Sequence, residues 1–117
     1  MIFNLFKKNA VTNTAKPDEQ AVILTICGPQ LELDDINGLE ERLIEIVSEN
    51  GVGEVDGHDI AMDGSDANLY LYGPSADKLF SVIEKVLRDS SFVGRILCKL
   101  RYGDVKNPKT KIVEIKI

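Results

Sequence analysis

The run Ala21-Val22-Ile23-Leu24-Thr25-Ile26-Cys27 is apolar almost throughout, rich in β-branched side chains, and closed by Gly28-Pro29. Such a run reads as a buried central strand. Its two backbone edges need hydrogen-bonding neighbours, and its apolar side chains need a cover. The remainder of the chain has to supply both.

Two stripes at helical spacing supply the cover. The first is Ile36, Leu39, Leu43, Ile46 and Val47, with Glu40, Glu41, Arg42, Glu45 and Glu49 on its wet side. Asp34 or Asp35 is suited to cap its start, and Asn50-Gly51 to end it. The second stripe is Ala76, Leu79, Phe80, Ile83, Val86 and Leu87. Gly73-Pro74-Ser75 opens it, with Pro74 fitting the first helical position and Ser75 an alternative cap. Further strands are expected from Gly53 to Ile60, Ala67 to Tyr72, Arg95 to Tyr102 and Lys111 to Ile117, the last burying Val113, Ile115 and Ile117. Met62-Asp63-Gly64-Ser65-Asp66 is a turn cluster between two of them.

The order strand, helix, strand, strand, helix, strand, strand predicts an α+β fold: a ferredoxin-like βαββαβ two-layer sandwich with an added C-terminal β-strand. Right-handed crossovers place the first four strands in the spatial order four, one, three, two, with the added strand beyond the fourth. The 117 residues make one domain, expected over 21–117. Residues 1–20, an apolar and basic head followed by an unpatterned Thr, Asn, Lys and Pro stretch, are expected to be a flexible segment.

Alternation then sorts the sheet. Leu24, Ile26, Leu69, Leu71, Ile96, Leu100 and Val113 should face the helices. Ile23, Thr25, Tyr70, Tyr72, Lys99, Arg101, Glu114 and Lys116 should lie on the uncovered face. Placing Val55 inward sends Glu54, Asp56 and His58 to that same open face. The candidate interaction face is therefore Tyr70, Tyr72 and Ile23 between Glu54 and Asp56 on one side and Lys99 and Arg101 on the other. A Tyr ring buries area and keeps a polar tip, which suits a contact surface.

Charge sharpens this picture. The net charge is −5, but residues 1–16 carry +3, residues 17–94 carry −13 and residues 95–117 carry +5. An acidic body argues against nucleic acid as a partner. The segregation favours protein partners of complementary charge. No apolar run approaches the ~20 residues of a membrane span, and the start lacks the pattern of a signal peptide, so a cytoplasmic setting is expected.

Glu54, Asp56 and His58 are the candidate metal ligands. Consecutive same-face residues on a strand lie about 6.5–7 Å apart, so three of them close poorly on one ion. Cys27 and Cys98 fit no disulfide framework or metal spacing and read as small buried hydrophobes. No glycine loop precedes a helix in a phosphate-cradling arrangement, and no cofactor is expected.

Gly53-Glu54-Val55-Asp56-Gly57, Leu69-Tyr70-Leu71-Tyr72-Gly73-Pro74, Ala76-Asp77-Lys78-Leu79-Phe80 and Arg101-Tyr102-Gly103 together resemble a widespread group of small bacterial proteins of unassigned function. The resemblance implies a cytoplasmic bacterial protein with two helices on a sheet, and it carries no catalytic residue over to this chain. The expected function is a non-enzymatic, acidic protein-interaction module, binding a protein partner or itself as a homodimer. By charge and size alone it is akin to immunity proteins that block basic toxins. The alternative is a metal-dependent binder or enzyme centred on Glu54, Asp56 and His58.

Overall fold

The computed structural model describes residues 19–28, 31–90 and 93–117. Most of the segment expected to be flexible, and Pro29 of the expected strand stop, lie outside them. The architecture is α+β, a five-stranded antiparallel sheet with two helices. In chain order the elements are β1 (Gln20–Cys27), α1 (Leu33–Asn50), β2 (Glu54–Ile60), β3 (Asp66–Gly73), α2 (Ala76–Asp89), β4 (Arg95–Arg101) and β5 (Ile112–Lys116). The sheet order is β2-β3-β1-β4-β5. β1 thus has a neighbour on each edge, as its apolar run requires, and β5 extends the sheet beyond a simple βαββαβ unit.

One face of the sheet carries the core. Val22, Leu24 and Ile26 of β1, Leu69 and Leu71 of β3, and Ile96, Cys98 and Leu100 of β4 are buried there. They pack with Ile36, Leu39, Leu43 and Val47 of α1 and Ala76, Leu79, Ile83 and Leu87 of α2. α2 lies over β1, β3 and β4, while α1 packs against α2 and over β2. Both expected stripes are therefore the buried ones, with Ile46, Phe80 and Val86 only half-buried at their margins. Val113, Ile115 and Ile117, expected in the core, are also half-buried. β5 lies one strand outside the sheet that α2 spans.

Gly51 ends α1 in the left-handed conformation, as expected, while the helix starts differ in part from expectation. Glu32, not Asp34 or Asp35, holds the cap position of α1 and makes no side-chain cap bond; the two aspartates lie in the first turn, where they favour the helix dipole. Ser75 caps α2, its hydroxyl accepting from the Lys78 N–H at 3.2 Å, so Pro74 precedes the cap instead of opening the helix. Gln20 adds a second cap: its Oε1 accepts the Ala76 N–H at 2.8 Å. That bond draws into the fold a residue the sequence assigned to the flexible segment. At the other end of α2, Arg42 reaches across from α1 to Ser90 Oγ and the Val86 carbonyl, placing a cation on the helix C-terminus.

The α1–β2 connection crosses the end of β3 at very short range. A Cβ on Gly53 would lie 2.1 Å from the Tyr72 carbonyl oxygen, and one on Gly73 would lie 2.3 Å from the Val52 carbonyl oxygen. Only two glycines allow this crossing.

Three outcomes follow for stability. Leu79→Ala should cost about 2–5 kcal/mol, and Phe80→Ala clearly less despite its larger side chain, because the Leu79 site is fully buried and cannot refill. Denaturant unfolding of both variants checks the order. By the same measurement Gly38→Ala, in mid-helix with no atom within 4 Å of its new Cβ, should raise stability by about 0.5–1 kcal/mol. Gly53→Ala should lower it.

Candidate functional site

The face of the sheet away from the helices is built in rows by the strand register. One row runs Glu54, Tyr72, Ala21, Arg101, Ile112. The next runs Gly57, Tyr70, Ile23, Lys99, Glu114, and the third Asp59, Asn68, Thr25, Leu97, Lys116. A shorter fourth row is Asp66, Cys27, Arg95. Among the described residues no helix or strand packs over these rows. Tyr70, Tyr72, Ile23, Lys99 and Arg101 are thus brought together on one surface, each half-buried between its neighbours.

β2 departs from simple alternation. The register shifts between Val55 and Gly57, so that Asp56 is an extra residue with no partner on β3. This is a β-bulge, and Gly57 carries it at φ +134°, a conformation that side-chain-bearing residues rarely adopt. Glu54, opposite Tyr72, stays on the open face. Past the bulge every residue changes sides. His58, expected beside Glu54 and Asp56, stands opposite Leu69 on the helix face, and Asp59 takes the open position opposite Asn68.

The candidate metal set is broken by this shift. His58 Nδ1 lies 3.0 Å from Glu40 Oε1 of α1, the pair being largely covered, and it ties α1 to β2. Glu54 and Asp56 remain exposed on the strand's other stretch. Among the described residues no group of three His, Cys, Asp or Glu side chains converges as metal ligands would.

Asp59 is the residue that sequence reasoning missed. Its carboxylate accepts from Asn68 Nδ2 at 3.0 Å and from the Tyr70 hydroxyl at 2.9 Å, while the Thr25 hydroxyl donates to Asn68 Oδ1 at 2.8 Å. The Asn68 and Tyr70 bonds hold the Asp59 carboxyl below its ordinary range, and the bond to Asp59 lifts the Tyr70 phenol above its own. Burial lifts the Tyr72 phenol, with Asp56 adding to the rise and Arg101 opposing it. The linked side chains of Thr25, Asn68 and Asp59 therefore orient the Tyr70 ring. The only signal for it in the sequence is Gly57, a residue that marks bulges in strands.

Below the third and fourth rows lies a shallow groove of about 450 Å³, lined by Thr25, Cys27, Arg95, Ile96, Leu97, Lys116 and Ile117. Its floor is mainly apolar, and two cations stand among the lining residues. Cys27 is half-buried at this groove, not in the core. Cys98 is buried as expected, and burial pushes its thiol up to about 12, which keeps it protonated and unreactive. Both cysteines are free.

Comparison of the chain with protein-family models, with curated proteins and with solved structures finds no match. No described helix is long and apolar enough to cross a membrane.

The polar network has a pH signature. Folding lowers the Asp59 pKa, so the stability it contributes is present above the ordinary carboxylate range and is lost as pH falls through the folded value. The Asp59 carboxyl should titrate below 3.8, and Tyr70→Phe should move the midpoint back toward 3.8. Side-chain carboxyl NMR across an acid titration checks both.

Proposed function

We propose that this chain is a non-enzymatic interaction module that binds protein through the open face of its sheet. One observation carries the reading: the rows place aromatic and aliphatic side chains at the centre, with acids on β2, cations on β4, and Glu114 and Lys116 together on β5. Tyr70, Tyr72, Ile23 and Leu97 offer apolar area at low conformational cost, the composition of contact centres. The flanking charges of opposite sign select a partner and speed its approach. The separation of His58 from Glu54 and Asp56 weighs against the metal-centred alternative.

The exposed acids of α1, among them Asp34, Glu41, Glu45 and Glu49, form a second charged surface. It steers a basic partner, with Leu33 and Ile44 as its exposed apolar residues. The same reading takes the scaffold as ferredoxin-like with β5 appended, supported by the position of β1 between β3 and β4.

The test is capture from a lysate of the source organism by the tagged full chain and by its Tyr70→Glu, Tyr72→Glu variant. Both baits are first shown to melt alike. The expected result is a protein, a second copy of this chain included, retained by the wild type and lost by the variant. Equal capture by both baits, or none by either, overturns the proposal.

A further inference from the structure

Resting on that reading of the open face, we infer that the occupant is a second copy of this chain, stacked face to face about a twofold axis running along β1. The argument is the register. Turning a copy about that axis lays β2 over the partner copy's β5, β3 over its β4, and β1 over its own equivalent, with each row kept in step. Sheets stacked this way keep their strands within about 30° of each other.

In the third and fourth rows charges then meet in opposite pairs, while Glu54 of the first row faces Ile112 and Glu114 of the second faces Gly57. In the third row Asp59 falls near Lys116 of the other copy, and in the fourth row Asp66 falls near Arg95. In the second row Tyr70 lies over Lys99, a cation on an aromatic ring, and Ile23 meets its own equivalent at the axis. Each contact away from the axis occurs twice, as an isologous interface demands, and that of Ile23 with its equivalent once. A twofold axis across the strands does the reverse. It stacks β2, with Glu54 and Asp59, on β2, and β4, with Arg95, Lys99 and Arg101, on β4. Complementarity thus selects one of the two face-to-face arrangements.

The groove of about 450 Å³ fits the same arrangement, because Arg95 and Lys116 stand where the opposite copy presents Asp66 and Asp59. The extent of the face sets the strength. Strands of five to eight residues spaced about 4.8 Å apart give roughly 500 Å² of projected face per copy. Two copies would then hide about 1,000 Å², the lower bound for a specific interface. The dimer is therefore reversible and salt-sensitive.

The test is sedimentation equilibrium of the full chain over a range of concentrations, at low and high salt. The wild type should form a dimer that weakens at least about fivefold between 50 and 500 mM salt, since screening shortens the reach of the charge pairs. Asp59→Lys alone and Lys116→Asp alone should each be monomeric. An equal mixture of the two should dimerise again, because each copy then meets its complement on both sides of the axis. Tyr70→Lys, which sets a cation against Lys99 of the other copy, should be monomeric whatever its mixture partner, which keeps the test decisive if a charge variant fails to fold. A wild type that stays monomeric, or a dimer indifferent to all three substitutions, overturns the inference. A monomer that still captures a foreign protein in a Tyr70- and Tyr72-dependent way overturns the second copy and leaves the interaction module standing. A monomer with no such capture overturns both.

Discussion

β1 is hydrogen-bonded along both edges, to β3 over Gln20–Cys27 and to β4 over Ala21–Cys27. All other placements follow from that double pairing. It puts β3 and β4, which lead into and out of α2, on opposite sides of β1, so α2 has to bridge the centre of the sheet. It leaves β2 and β5 as the edges. It also aligns the rows of side chains across the sheet, because one strand sets the register of both its neighbours. The face that α2 does not cover therefore inherits an order along the sheet and not merely a composition.

Periodicity carried most of the fold into view. The stripes of α1 and α2 have a period that no strand shares, and each buries the residues at its centre. The alternation of Leu69, Tyr70, Leu71 and Tyr72 decided the faces of β3 in the same way. The departures are of two kinds. Val113, Ile115 and Ile117 have the right pattern for burial, but burial also requires a helix above them, and a one-dimensional pattern does not say how far the helix layer reaches. Caps are the other kind. Gln20 and Ala76 are far apart in sequence, and their hydrogen bond exists only once β1 and α2 are packed.

At the candidate site the aromatic and basic members were legible, because they sit on strands of unbroken alternation. The acidic edge was only half legible. A period of two is reversed by a single inserted residue, so the bulge at Asp56 and Gly57 exchanges His58 for Asp59 on the open face. Gly57 is compatible with either arrangement until its backbone angle is known. The exchange changes the chemistry of that corner from a histidine beside two acids to a carboxylate held by Asn68 and Tyr70.

The same bulge bears on how the sheet ends. An edge strand offers unpaired backbone groups to any passing strand, and uncontrolled sheet extension is the usual hazard. On β2 the extra residue interrupts the regular spacing that an incoming strand would need. At β5, a strand of only five residues, Lys111 stands just before the first residue and Lys116 is the last. Both rims are blunted by different means, one by geometry and one by charge. Growth sideways into a longer sheet is discouraged, and the broad surface between the rims remains the place where this sheet meets another molecule.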